Sequence, residues 1–467
     1  MSIIWVKGVD TMAKTNDMTR GKVSKILISF FLPMLMTNML QQIYNFADTA
    51  IVGKGLGDNA LAAVGNMSSL TFLIIGFSMG MGNGFAVVIA QNYGAKNMKA
   101  LKRSLASTIK LSAIITTVLT VISILFLRNI MVLMQTSDTI IEDSLGYGYI
   151  IFGGLAATIA YNMSASILRA MGDSRTPFTA IIISSIMNII LDILCIFVLG
   201  TGVEGAAAAT VIATCFSAGI CIRRISKIDE LKLSREEFKT DIQTDLLLIK
   251  NGLPMALMNS ITAVGCVVVQ YFVNGLGVAY SSAYSVCSKY INIFMIPGLT
   301  AGHAMAAFTG QNYGAGRIVR IRDGIKVCTG ISLAAYALLG SVMVFFPKEL
   351  AYLMLSGEET VSLAVDFLPI CGAMLFAVDL LFVFRNCVQG MGKPFIPMIS
   401  GILEMVLRIA VIMAFIGQIG FTATAIAEVS AWTGALILNA FAYFVSIRKK
   451  SPVHSAESCM NNGVYVK

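Results

Sequence analysis

Seven ionisable side chains, Asp48, Asp192, His303, Asp379, Glu404, Arg408 and Glu428, stand inside runs of apolar sequence. In hydrocarbon each costs upward of about 2.5 kcal/mol, so each calls for a partner or a task. Asn188 and Asp192 are four apart, which stacks an amide on a carboxylate along one helical face. Asp48 lies in Tyr44-Asn45-Phe46-Ala47-Asp48-Thr49, with Gln41 two turns earlier on a similar face. Two carboxylates in one low-dielectric cavity can hold a proton or a sodium ion in one conformation and release it in another. The amides and hydroxyls around these two favour that reading over the plainer one, in which each Asp accepts hydrogen bonds from neighbouring helices as packing glue. Glu404 and Arg408 are also four apart, the spacing of an intrahelical ion pair, and read as structural. His303, a lone helix histidine, reads as packing before proton relay.

The elements that must hold these groups follow from composition. Of 467 residues, 57% are hydrophobic and 13% charged, against about 25% charged in soluble domains. Apolar runs long enough to cross a bilayer recur from Ile26 to Phe444, and twelve of them are expected. No ten-residue alternation repeats, so a barrel is disfavoured. The expected fold is an all-α polytopic membrane protein, with twelve transmembrane helices in two six-helix bundles. Pro33 should bend or break the first span and is a candidate hinge. Clustered glycines at 76, 80, 82 and 84 predict close helix approach.

The net charge of +9 suggests nucleic acid at first sight, but the placement of the charges argues otherwise. If the spans alternate, most of the 34 Lys and Arg fall on one side, which predicts both termini in the cytoplasm of a cell-membrane protein. The first 25 residues show no signal-peptide pattern. Nine cysteines without a C-x-x-C pair, and two histidines, suggest neither a disulfide framework nor a zinc site.

The chain also repeats itself. Gln91-Asn92-Tyr93-Gly94-Ala95 returns as Gln311-Asn312-Tyr313-Gly314-Ala315, Gly55-Leu56-Gly57 as Gly275-Leu276-Gly277, and Met171-Gly172 as Met391-Gly392, all 220 residues on. Leu32-Pro33-Met34 returns as Leu253-Pro254-Met255 at a spacing of 221. Six spans per copy give both copies one orientation, so the bundles should be related by a pseudo-two-fold along the membrane normal, with a cavity between them. Expected boundaries are a cytoplasmic tail 1–24, a first lobe 25–222, a linker 223–249, a second lobe 250–446 and a tail 447–467. Such duplication is typical of transporters that work by alternating access.

On these markers, namely the proline-bearing first helix with Asp48, the two Gln-Asn-Tyr-Gly-Ala loops, Arg169-Ala170-Met171-Gly172-Asp173, and Asn188 with Asp192, the sequence resembles the multidrug and toxic compound extrusion (MATE) family over about residues 20 to 448. The resemblance implies a multidrug efflux antiporter driven by H+ or Na+. Its archaeal and DinF-like members place a cation site on residues that look like Asp48, Asn188, Asp192 and Thr210 here. Asp48 and Asp192 would be the ligands if sodium is the ion. Gln41 and Tyr147 fall where that branch has further polar cavity groups, and Asn162, Met187, Met258 and Asp379 complete the expected substrate cavity. The NorM-like branch uses a seventh-helix Glu and a tenth-helix Asp. Asp379 looks like the latter, but Thr262 stands at the former position, so that set is incomplete.

The 27 methionines, Met34, Met36, Met39, Met163, Met255 and Met258 among them, suit a promiscuous apolar lining, although any single one of them reads as lipid-facing filler first. No G-x-x-x-x-G-K-[ST] loop occurs, so an ion gradient is the expected energy source, with no cofactor and no enzymatic activity. Expected partners are small molecules, organic cations above all, and membrane lipids, with no nucleic acid and a monomeric state. Two other readings stay open. A flippase of lipid-linked precursors would need a cationic cavity, whereas the acids here favour cationic cargo. A channel would more usually be a symmetric oligomer of short chains.

Overall fold

The computed structural model describes residues 17–134, 136–239 and 242–448. The expected tails 1–24 and 447–467 therefore lie mostly outside the described residues, as does part of the linker 223–249. Most of the described residues are helical, and none of them forms a strand. Without water, backbone groups are satisfied within each helix.

The first half consists of α1 (Val23–Leu56), α2 (Asp58–Gly94), α3 (Met98–Leu133), α4 (Ile141–Gly153), α5 (Leu155–Ala170), α6 (Arg175–Ile193) and α7 (Gly202–Ser226). The second consists of α8 (Ile242–Leu276), α9 (Val278–Phe294), α10 (Ile296–Gly314), α11 (Ile318–Phe345), α12 (Pro347–Met354), α13 (Glu358–Ala373), α14 (Leu375–Gly390), α15 (Phe395–Ile419) and α16 (Thr422–Arg448). Nine of these segments are long and apolar enough to span a membrane, and three bent pairs bring the number to twelve among the described residues. The pairs are α4–α5, α9–α10 and α13–α14, bent by 47°, 42° and 45°. Short α12, opened by Pro347, was not expected from the sequence.

Pro33 does not break α1, which runs uninterrupted for 34 residues. Pro254 sits likewise inside the 35 residues of α8. One turn beyond Pro33, Thr37 donates its hydroxyl to the Pro33 carbonyl at 2.8 Å.

The chain forms two compact units, one holding Leu32–Ala256, the other Met18–Phe31 with the residues from Leu257 on. In the first unit, α7 packs against α4, α5 and α6, while α2 packs against α5. Its core holds Phe85, Ile89, Leu101, Leu168 and Met171, closed by Leu231 and Leu248. Among the clustered glycines, Gly80 is needed because a Cβ there would fall 2.5 Å from the Ala256 Cα, and Gly84 abuts the backbone of Asn251 and Gly252. Gly82 makes only ordinary contacts and Gly76 faces open space, so the glycine expectation holds for two positions of four. In the second unit α15 packs against α16, and α14 against α10 and α16, around Phe367, Leu368, Leu375 and Trp432.

The repeats carry turns of matching geometry. Gly172 and Gly392 have φ of +82° and +76°, a conformation that favours glycine and that ends α5 and α14 alike. Asp173 then starts α6 by accepting from the backbone N–H groups of Arg175 (3.1 Å) and Thr176 (3.0 Å). Both Gln-Asn-Tyr-Gly-Ala copies end a helix and hold neighbouring segments. Asn92 donates to Ser104 at 3.0 Å, whereas Gln311 accepts from the Met18 backbone N–H at 2.9 Å and Asn312 donates to the Met18 carbonyl at 3.2 Å.

Eight cysteines among the described residues are free thiols, and no group of metal-ligating residues occurs there.

Candidate functional site

Asp192 is the penultimate residue of α6, and the five residues that follow the helix, Leu194–Val198, form a π-helical turn in which the Leu199 N–H reaches back to the Leu194 carbonyl at 2.9 Å. A π turn inside a helix rotates the side chains that follow it and leaves a local opening in the bonding ladder. Against this turn runs the end of α1. Val52, one turn past Asp48, and Ile196, four residues past Asp192, share a core cluster with Val64, Val203 and Ala206. Gly55 makes this approach possible, since a Cβ there would stand 2.6 Å from Ile196 and 2.9 Å from Phe197.

Apolar packing on one side thus presses two acids together on the other. Asp48 is half-buried and Asp192 fully buried, and their carboxyl groups are near enough to share a hydrogen bond. Asn188, 1% exposed, gives its amide N–H to Oδ2 of Asp192 at 2.9 Å and accepts the Thr210 backbone N–H at 3.3 Å, with the amide oriented to match its neighbours. The Tyr44 hydroxyl lies close to the Thr210 side chain, and Tyr147 lies close enough to interact with Asp48, Tyr44 and Asp192. Asp48 Oδ1 and Asp192 Oδ1 have no hydrogen-bond partner among the described residues.

Two bare carboxylates about 4 Å apart repel by roughly 4 kcal/mol at an effective dielectric near 20. A proton or small cation between them removes that repulsion and uses the vacant lone pairs. The amide, hydroxyl and backbone groups around them supply orientation without positive charge.

The structure thus brings Asp48, Asn188, Asp192, Thr210 and Tyr147 into one cluster and adds Tyr44. Tyr44 stands four residues before Asp48, one turn away on the same helical face. Gln41, Asn162 and Met187 lie half-buried in the same unit, with no hydrogen bond to the acid pair among the described residues. Asp379 and Met258 belong to the other compact unit. Asp379 is 1% exposed, backs onto Gly298 of α10, and neither of its carboxyl oxygens has a partner among the described residues. Met258 packs over Gly401, close to Thr262, whose hydroxyl is also unpartnered there. Among the singled-out methionines, Met34, Met163, Met255 and Met258 are buried, while Met36 and Met39 are each 46% exposed.

Glu404 and Arg408 do pair, but at 3.8 Å theirs is the loosest link in a longer chain. Arg385 bonds Glu404 more closely, and Arg408 Nε reaches Glu428 Oε2 at 3.0 Å. Arg385 lies five residues before the end of α14, and its side chain is 6% exposed.

Comparison with known proteins agrees with this architecture. The probable multidrug resistance protein YoeA of Bacillus subtilis is 30% identical over 364 residues, covering 76% of this chain and 79% of that one. The probable multidrug resistance protein YpnP of the same organism is 26% identical over 421 residues, covering 87% and 92%. A solved structure described as MATE in the bent conformation superposes with a TM-score of 0.89 at 20% identity, over 95% of this chain and 99% of that one. The MatE family model matches twice, at residues 33–194 and 254–445, starting at Pro33 and at Pro254 in the two copies of the repeat. Two matches that together take in most of the chain, in the order set by its duplication, make this protein a member of the MatE family of membrane transporters.

Proposed function

We propose that this chain is a secondary active antiporter that exports hydrophobic, cationic small molecules in exchange for H+ or Na+, alternating the exposure of its sites between the two sides of the membrane. The reading rests on one observation above all. Asp48 and Asp192 meet carboxyl to carboxyl inside the first unit, and no Lys or Arg pairs with either among the described residues. A buried doubly acidic site without a fixed counter-ion is stable only when a mobile cation or proton occupies it. Asn188, Thr210, Tyr44 and Tyr147 orient that ion, which is the arrangement of the DinF-like branch. The relatives named as multidrug resistance proteins support drug-like cargo. An acidic cavity also opposes a pyrophosphate-bearing lipid, which weighs against the flippase reading.

Asp379 completes the proposal as a substrate contact, its unpartnered carboxyl facing a cationic cargo, and Pro33 as a hinge of α1. The protein would act as a monomer in the cell membrane, with both termini cytoplasmic and lobes bounded near 25–222 and 250–446.

The test is exchange in proteoliposomes, with ethidium as substrate and internal pH as readout, with and without sodium. Asp48→Asn and Asp192→Asn should each abolish exchange while the protein still folds. Undiminished exchange in both variants refutes the acid-pair site.

A further inference from the structure

The two halves carry differently charged side chains on matching helices. The register of α6 and α15 is fixed by Gly172 and Gly392, both at positive φ, and by Pro177 and Pro397, all 220 residues apart. In that register Arg408 takes the place of Asn188 and Glu404 that of Ser184, while Ile412 replaces Asp192. The counterpart of Asp48 on α8 is Val268 or Val269, for a spacing of 220 or 221.

Arg408 is 3% exposed and is held between two acids: Nε donates to Glu428 Oε2 at 3.0 Å, and Nη2 lies 3.8 Å from Glu404 Oε2. Glu404 is also bonded by Arg385, which donates to Ser400 Oγ at 3.2 Å, and the Tyr284 hydroxyl donates to Glu428 Oε1 at 3.5 Å. Two guanidiniums and two carboxylates balance in charge. The fit is not complete, because Arg408 Nη1 and Arg385 Nε have no hydrogen-bond partner among the described residues. Beside Nη1 stands Gly265, where a Cβ would come no nearer than 3.5 Å, so the guanidinium has room.

The first unit therefore offers two acids and no fixed cation, and the second offers, on the equivalent helix, a cation supplied by the chain itself. We infer that Arg408 fills a cation site of the C-terminal unit, a pocket for a small planar cation walled by Glu404, Glu428 and Gly265, and that deleting its side chain opens this pocket to free guanidinium. The parallel with the first unit rests on the proposed role of the acid pair, whereas the pocket rests only on the geometry of the second unit. A guanidinium ion carries the same planar fork of donors as the side chain, whereas tetramethylammonium has the charge without the donors.

The test uses full-length Arg408→Ala, purified in detergent and unfolded thermally, with guanidinium chloride or tetramethylammonium chloride added at equal tens-of-millimolar concentrations. Guanidinium should raise the Tm of Arg408→Ala, while tetramethylammonium does not, and neither salt should raise that of the wild type. Ethidium exchange by Arg408→Ala should fall about tenfold or more and recover in guanidinium. In Arg408→Ala/Glu428→Gln, where the remaining charges balance again, guanidinium should have no effect.

A folded Arg408→Ala with no guanidinium-specific rise, or an equal rise in the wild type, overturns the inference. Should Arg408→Ala fail to fold, the double variant should fold where the single one does not, and equal failure of the two overturns it as well. Because the primary readout is stability, a negative result for Asp48→Asn exchange bears on the antiport proposal and leaves this one standing.

Discussion

Asn188 stands one helical turn before Asp192 and gives its amide N–H to the Oδ2 of that carboxylate at 2.9 Å, while its carbonyl oxygen takes the Thr210 backbone N–H at 3.3 Å. One side chain thereby ties α6 to α7 and fixes which oxygen of Asp192 is satisfied from within its own helix. The other oxygen, Oδ1, is the one without a partner among the described residues. The amide thus aims the vacant lone pairs.

Asn188→Leu should therefore leave the fold intact and disturb the ion site. A hydrogen bond to a charged group contributes about 1.5–3 kcal/mol, so ion affinity should fall about tenfold or more. The check is the sodium or proton concentration giving half-maximal ethidium exchange. Asn188→Asp, which adds a third acid to the cluster, should instead hold the proton or cation more tightly and slow exchange through its release.

Gly55 is a second point of control, where α1 touches the π turn. Gly55→Leu would drive a side chain into Ile196 and Phe197 and pry Asp48 away from Asp192, so exchange should drop about tenfold or more. Gly53→Ala is the control, since a Cβ there meets only Leu61, at 3.4 Å. It should behave like the wild type in the same liposomes.

At the start of the chain, Arg320 holds the segment before α1. It donates to the Met18 carbonyl at 3.0 Å, the Gly21 carbonyl at 2.8 Å and Asn312 Oδ1 at 3.0 Å, with Arg317 on the Thr19 carbonyl beside it. Met18 and Thr19 are buried while Arg20 and Lys22 are exposed. Arg320→Ala should free this strap, and trypsin should then cut after Arg20 or Lys22 about tenfold faster, as read by N-terminal sequencing of the digest.

Asp173 should matter to stability more than to transport. It caps α6, accepts the Thr176 hydroxyl at 2.7 Å, and pairs with Arg224 Nε at 3.3 Å. Asp173→Ala removes the cap and leaves Arg224 without this partner, a cost of about 1–2 kcal/mol. A lower Tm with ion dependence unchanged is the expected outcome.

How much was legible in the sequence differs from feature to feature, for physical reasons. Spans are legible because a bilayer demands long apolar runs, so the number of spans follows from the sequence alone. The pairing of Asn188 with Asp192 was readable because a four-residue spacing is a contact within one helix, independent of how helices pack. Tyr44 obeys the same spacing, but nothing local says that a tyrosine on that face meets Thr210 on α7. Arg385 illustrates the opposite failure. Near a helix end it reads as a surface charge, and only the packing of α14 against α10 and α16 turns it inward to Glu404.

The sequence alone determined that this protein is helical, duplicated at a spacing of 220, and provided with acids where hydrocarbon would forbid them, because length, periodicity and local spacing are properties of the chain itself. Tertiary structure decided which of those acids meet. Asp48 and Asp192 are 144 positions apart, and whether such residues touch depends on Gly55 admitting Ile196 and on a π turn that no periodicity announces. It also decided that Glu404 and Glu428 are answered by arginines while Asp48 and Asp192 are not, since Coulomb interactions are set by distance in space and not along the chain.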